Sequence, residues 1–401
     1  MASRIVGIDL GAYSVKVVVT NPGFRQAMVT DVIEVKVPEG EESQLVRAAS
    51  ALASVGNRFQ SDDDSIFSSI AGDSVFLHVL EFGFKTMRRA DLDRVVGSEL
   101  EGVLPIDLED MVYAFEEIPR LVDSNSSDVA GADPDVLDLS DSALVGSGTV
   151  ADSSSVQRGR IAETAMGMRV LAAATQRDRA EELLFALRSE GVDPRGLLAT
   201  PAPYARLADK LGGQSGRLVA ILDIGHKRTD FCLSKGGKPV YARTIARGGE
   251  ELTRIIARTW KLETPEAEEL KHRSGFIESR REIATSEAAR SMSEVLNKQL
   301  RPLMREIRRT LQACRAKTGY TAEEIVLVGG GSRLSGMAPY LSEGLKIPVR
   351  LLSQENVMSM LGDCAATASL DTCSLALGVA TDGASAKPSF DLRQGALAFA
   401  G

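Results

Sequence analysis

The sequence predicts an α/β protein built of two related halves. Three observations carry that expectation. A strand–turn–strand unit at residues 4–20 recurs at 217–245. Both copies place Asp-x-Gly at the end of an apolar strand, as Asp9-Leu10-Gly11 and Asp223-Ile224-Gly225. Between and after them, strand-like runs alternate with amphipathic helical stretches over 401 residues, more than one hydrophobic core ordinarily holds.

Each element follows from its own pattern. RIVGIDL and VKVVVT are rich in β-branched residues, and GAYS supplies the turn between them. AMVTDVIEVKV adds a third strand. QLVRAASALASVGNRF has helical spacing, with Leu45, Ala48, Leu52 and Val55 on one face. IFSSIAG and VFLHVLEF read as strands. In RADLDRVVGSELEGVLPID, Leu92, Val95, Val96, Leu100, Val103 and Leu104 make one apolar stripe, and Pro105 closes the helix. MVYAFEEI and RVLAAATQ are further strands, and RDRAEELLFALRSEG is a helix stopped by Gly191. Residues 122–159 differ in kind. Ser, Asp, Gly and Ala dominate there and no aromatic occurs, so this acidic stretch is expected to be a disordered insertion within a domain.

Beyond the second hairpin, residues 249–318 are largely helical. The last of these helices sets Leu296, Leu300, Leu303, Ile307 and Leu311 on one side; Arg301, Arg305, Arg308, Arg309 and Arg315 crowd the other. That basic face reads either as a solvated surface, the commoner case, or as a site for phosphate or an acidic partner. EEIVLVGGGSRLSG is strand, glycine loop and helix start, and CSLALGVA is a short apolar helix.

Composition excludes several classes. The net charge of -8 argues against a nucleic-acid partner, because neutralising phosphates takes a basic face. Cys232, Cys314, Cys364 and Cys373 form no C-x-x-C pair and read as buried, reduced thiols. His78, His226 and His272 show no partner in sequence for a histidine-based catalytic group. No apolar run approaches the roughly 20 residues of a membrane span.

The two hairpins and the glycine loop carry the chemistry. In Asp9–Lys16, a concave turn presents backbone N–H groups that suit anionic oxygens. Gly11 permits close approach, Ser14 offers a hydroxyl, Lys16 a positive charge, and Asp9 a carboxylate for a hydrated magnesium. Asp223–Asp230 repeats that pattern, so the two loops can face one another across a cleft and grip one triphosphate. Gly329-Gly330-Gly331-Ser332 follows a strand and suits a flat ligand.

This order of motifs resembles the actin-like ATPase superfamily, and more closely the group of PilM and the GspL cytoplasmic domain. GIDLGAYSVKVV, residues 84–118 and IARGGEELTRIIAR are similar to that group's opening, inserted subdomain and second-domain turn. The resemblance implies an actin-like (ribonuclease H-like) two-domain fold with a nucleotide cleft. The first domain would span 1–199, with an inserted small subdomain at about 74–170. The second would span 200–381, and a linker and tail 382–401. ATP with Mg2+ would then be held by Asp9, Gly11, Ser14 and Lys16 in the first phosphate loop, and by Asp223, Gly225 and Thr229 in the second. Gly329, Gly330, Gly331 and Ser332 would line the adenosine side, and Asp9 and Asp223 would hold the metal through water.

Departures from the superfamily pattern set the functional expectation. His226, Lys227 and Arg228 are bulky where relatives that hydrolyse ATP have small residues, and Leu197–Tyr204 holds no carboxylate or amide to position water. The chain is therefore expected to bind ATP weakly, to hydrolyse it slowly or not at all, and to act as a cytoplasmic scaffold peripheral to the inner membrane, or as the cytoplasmic part of a single-span membrane protein. It would join a membrane partner of the PilN or GspL–GspM type to a motor ATPase of the GspE or PilB type in a pilus or type II secretion machine, with self-association open. The alternative is an active, polymerising ATPase of the FtsA type. Ser389-Phe390-Asp391-Leu392-Arg393, after a linker at 382–387, resembles the segment that opens PilN; it reads equally as a docked peptide or a frayed tail.

Overall fold

A computed structural model describes residues 4–21, 28–59, 64–119, 167–211, 216–353 and 369–400. The acidic stretch 122–159 and Cys364 lie outside the described residues. The first half contains β1 (Arg4–Leu10), β2 (Ser14–Asn21), β3 (Met28–Lys36), α1 (Gln44–Ala53), β4 (Asp64–Ile70), β5 (Phe76–Phe82), α2 (Arg89–Val103), β6 (Met111–Glu117), β7 (Met168–Gln176), α3 (Arg177–Ser189) and β8 (Gly196–Ala199). Then follow α4 (Tyr204–Leu211), β9 (Leu218–Ile224), β10 (Thr229–Lys235), β11 (Lys238–Ile245), α5 (Gly249–Trp260), α6 (Thr264–Ser274) and α7 (Glu287–Thr318). The last elements are β12 (Glu324–Val328), α8 (Met337–Leu345), β13 (Val349–Leu351) and α9 (Ser374–Gly383).

The internal repeat is a repeat of topology. One sheet runs β3-β2-β1-β4-β8 and the other β11-β10-β9-β12-β13. In each, an antiparallel meander leads to two parallel strands. Parallel neighbours need both faces covered, and α4 and α9 pack on one another between the two sheets. Gly7 makes this possible on β1: a Cβ there would sit 2.1 Å from the Ala376 carbonyl oxygen of α9. A third, antiparallel sheet, β5-β7-β6, carries α2 on its face. Leu92, Val96 and Leu100 of α2 are fully buried against it, whereas Val103, expected in the stripe, is 45% exposed. Helix α1 also ends earlier than its pattern, because Gly56–Arg58 tightens into a 3-10 turn.

The C-terminal segment is docked. The Ala199 amide donates to the Phe390 carbonyl at 3.1 Å, and the Leu392 amide to the Leu197 carbonyl at 2.8 Å, so the segment lies along the open edge of β8. The Asp391 carboxylate accepts the Leu197 amide at 2.9 Å. Phe390 and Leu392 are buried, and the Arg393 guanidinium lies 2.8 Å from Asp193. The expected linker at 382–387 starts later than predicted. Asp382, in the last turn of α9, is a buried carboxylate that accepts the Arg206 guanidinium at 3.2 Å and the Ser389 amide at 3.0 Å. Phe390→Ala is expected to free this segment, because the groove loses its largest anchor. Limited proteolysis with mass mapping should then cut after residue 384 several-fold faster than in the parent.

Candidate functional site

A cleft of about 320 Å³ lies between the two halves. Both Asp-x-Gly loops and the glycine loop reach it. Asp9, Gly11, Ser14 and Lys16 line it from the first half; Asp223, Gly225, Gly329, Gly330 and Gly331 line it from the second. Two expected residues do not. The Thr229 hydroxyl is buried and donates to the Arg247 carbonyl at 2.8 Å, because residue 229 opens β10 with its side chain turned under the loop. The Ser332 hydroxyl folds back on the Gly329 carbonyl at 2.7 Å. The glycine loop also leads into a 3-10 turn, Gly330–Arg333, and α8 starts only at Met337, so no α-helix N-terminus follows it directly.

The two loops differ in chemistry because their hairpins pair different residues. Across β1 and β2, Asp9 stands opposite Lys16, whose ammonium lies 3.3 Å from its carboxylate. Burial works against the Lys16 charge, yet Asp9, Asp223 and Glu34 together raise its pKa, so it stays cationic. Across β9 and β10, Asp223 stands opposite Asp230. Like charges directly opposite one another are unfavourable. Burial first, then Asp230 and Asp9, push the Asp223 carboxyl up to about 6, against a hydrogen bond from the Tyr204 hydroxyl. Arg228 relieves Asp230 at 3.3 Å and reaches Asp73 of the first half at 3.6 Å. The bulky second loop therefore turns its arginine onto carboxylates and ties the halves together. Among the described residues the Gly11, Ala12 and Tyr13 amides make no hydrogen bond, whereas the Gly225 amide is taken by the Arg228 carbonyl at 2.9 Å.

The far wall was not expected from sequence. Glu268, Lys271 and His272 project from one face of α6, by their i, i+3, i+4 spacing. The Lys271 ammonium reaches Glu268 at 2.8 Å, the Thr253 hydroxyl at 2.8 Å and the Gly249 carbonyl at 3.2 Å. His272 stands 3.1 Å from Glu268. Burial opposes the Glu268 charge, but hydrogen bonds from His272, Lys271 and Thr253 hold its carboxyl well below the usual range. Across the opening, the Tyr13 ring faces His226 at 5.5 Å and His272 at 6.0 Å, so two histidines without sequence partners share a site. His226 is shifted down, chiefly by burial. Tyr204, on the stretch that holds no carboxylate or amide, buries its hydroxyl against Asp223. Cys232, Cys314 and Cys373 are free and buried, as expected.

The residues present fit a hydrated divalent cation. Asp9, Asp223 and Asp230 feel one another's charge in a buried space, which a cation would relieve. Among the described residues no three acidic, histidine or cysteine side chains converge closely enough to bind a metal directly. A magnesium ion would therefore keep most of its waters, with Asp9 and Asp223 as outer partners. Among the described residues no helix is long and apolar enough to cross a membrane.

Known proteins share this architecture. A solved PilM-PilN type IV pilus biogenesis complex is similar at TM-score 0.71 and 20% identity, covering 96% of this chain and 100% of that one. The cell division protein FtsA of Borreliella burgdorferi is 24% identical over 375 residues, covering 86% of this chain and 84% of FtsA. MreB 5 of Spiroplasma citri bound to AMPPNP is more distant, at TM-score 0.47 and 11% identity, covering 89% of this chain and 93% of that one. The fold is actin-like. The family model for the type IV pilus assembly protein PilM matches residues 158–382, more than half of the sequence, and the chain belongs to that family.

Proposed function

We propose that this chain is a nucleotide-binding scaffold of a type IV pilus or type II secretion machine. On this reading it holds ATP and Mg2+ in the cleft without appreciable turnover and couples an inner-membrane partner to a motor ATPase. The observation that carries the nucleotide half is the convergence of both Asp-x-Gly loops, Lys16 and the glycine loop on one cleft. Phosphates would sit against the Gly11–Tyr13 amides and the Lys16 ammonium, and a ribose hydroxyl would suit Glu268 and Lys271. Slow turnover is supported by the engagement of every carboxylate lining the cleft. Asp9 pairs with Lys16, Glu34 accepts the Ser14 and Thr372 hydroxyls, Asp223 binds Tyr204, Asp230 binds Arg228 and Glu268 binds Lys271. Each already compensates a donor of the protein, which weakens it as a base toward an attacking water.

The partner half of the proposal has its own support. The segment that resembles the opening of PilN is seated on the β8 edge, and the most similar structure described above is a PilM–PilN complex. A membrane partner's peptide would take the same edge by main-chain hydrogen bonds in exchange for this segment.

Titration of the full chain with a fluorescent ATP analogue and magnesium tests the nucleotide reading. Lys16→Ala is expected to weaken binding at least about tenfold, the loss of one buried charge-assisted contact. Magnesium-dependent binding is expected to fall as the pH drops through about 6, because Asp223 then takes up a proton and no longer attracts the cation. Rapid phosphate release with pelleting of filaments, both abolished by Asp9→Ala, is the result that would instead support a polymerising ATPase of the FtsA type.

A further inference from the structure

We propose that an open pocket between α7 and α8, outside the cleft, seats the phosphate headgroups of an anionic phospholipid surface. The pocket has a volume of about 640 Å³ and is lined by Arg280, Lys298, Arg301, Arg305, Arg308 and Lys346. The cations stand against one carboxylate, Glu343, which is occupied in accepting the Arg280 backbone amide at 3.0 Å. The whole chain carries a net charge of -8, so this cluster stands against the protein's own balance.

The basic face of α7 admits a plain reading as solvated surface, and the structure separates the two cases along one helix. Arg309 points away from the pocket and behaves as a surface arginine does, pairing with Glu306 at 2.6 Å. The side chains of Lys298, Arg301, Arg305 and Lys346 line the pocket and make no ion pair or hydrogen bond among the described residues. Arg308 is fixed differently, donating to the Gly344 carbonyl at 2.8 and 3.2 Å, which holds α7 and α8 at the spacing that leaves the pocket open. The Tyr340 ring is half-buried on the wall beside Arg301 and Arg308, and burial keeps its hydroxyl protonated. Four unpaired cations, a fixed guanidinium and a phenol donor make a concave set of donors around one carboxylate, Glu343, already engaged by the Arg280 amide, and such an excess of donors is what a phosphodiester oxygen needs.

The neighbouring loop points to a lipid rather than to a free anion. Ile283 is 68% exposed and follows Arg280 and Arg281 in a turn closed by the Ser279 amide on the Glu282 carbonyl at 2.9 Å. An apolar tip beside a basic pocket matches both layers of a membrane interface: headgroups for the cations and acyl boundary for the isoleucine. A soluble phosphate has no use for Ile283.

The test is co-sedimentation of the full chain with vesicles containing about one-third phosphatidylglycerol, against vesicles of phosphatidylcholine alone, at about 0.1 M salt. The expected result is binding to the anionic vesicles only. Arg301→Glu with Arg305→Glu should reduce it at least about tenfold, and Ile283→Asp about threefold. All three positions are exposed, so melting temperatures should match the parent. Lys298→Gln with Lys346→Gln serves as a second, milder pair if the reversal disturbs folding, with a loss of several-fold expected. Equal binding to both vesicle types, or binding that neither set of charge variants changes, overturns the proposal. So does displacement by millimolar inorganic phosphate with Ile283→Asp silent, which would make the pocket a free-anion site. Preference for polyglutamate over vesicles through the same arginines would assign it to an acidic protein and also overturn it.

Discussion

Gly329→Ala is expected to destabilise the protein by at least about 3 kcal/mol and to abolish nucleotide binding, while Gly330→Ala, one residue away, is expected to change stability by less than about 0.5 kcal/mol. The contrast is geometric. Gly329 has φ +85°, where a side chain is strained, and a Cβ there would lie 1.9 Å from an Asp223 carboxylate oxygen and 2.7 Å from the Ile224 carbonyl oxygen. Asp223 cannot step aside cheaply, because its carboxylate is held by Tyr204 and its backbone by the β9 ladder. At Gly330 a Cβ would meet nothing within 4 Å. Thermal melts of both variants check this, with a fall of roughly 5 °C or more for the first only. Two similar falls would mean that the glycine loop is uniformly intolerant and that the Asp223 contact is not the cause.

Lys271→Met is expected to cost about 3 kcal/mol, since removing one partner of a buried pair leaves the other charge uncompensated. Burial lowers the Lys271 pKa even beside Glu268, whereas Glu268 is held strongly down, so the carboxylate is the charge that the cluster stabilises. The sign of the pH effect follows. A carboxylate with a depressed folded pKa contributes stability above its unfolded value, 4.5, and that contribution drains away as the pH falls below it. Chemical denaturation at pH 7 and pH 4 should show the difference between parent and variant narrowing at the lower pH. A companion Glu268→Gln with Lys271→Met should recover most of the loss. A double variant as unstable as the single one would show that lysine's aliphatic packing, not its charge, carries the effect.

The strands, hairpins and glycine loop were legible in the sequence because each is local: β-branched runs of strand length, Asp-x-Gly turns, and a glycine triplet after an apolar run. The repeat was legible for the same reason, and it pointed to two related halves. The far wall of the cleft was not. Only Ala267 and Lys271 of α6 are buried, so its pattern reads as a solvated helix. Glu-x-x-Lys-His on one face is visible in sequence, but nothing local says that the face meets Thr253 and Gly249. The register that sets Asp223 against Asp230 was readable in principle, by folding the second hairpin about His226–Arg228. Thr229 and Ser332 were assigned to the cleft by motif position, and the local turn geometry directs both hydroxyls elsewhere. The docked tail was undecided in sequence, because its partner edge, β8, lies about two hundred residues earlier.

The close seat of α9 on Gly7, together with the segment on β8, has a consequence for how the molecule comes into being. The first sheet is covered on one face by residues 374–383 and along one edge by residues 390–392. Its strand Arg4–Leu10 leaves the ribosome long before Ser374–Gly383, the helix that supplies its packing surface. Contacts of that sequence separation form late, after their loop-closure entropy has been met. The nascent first half therefore waits with an apolar sheet face and an open strand edge exposed, the condition in which chains aggregate or recruit chaperones. Order of synthesis and order of folding run in opposite directions here: elements made late complete a sheet begun early.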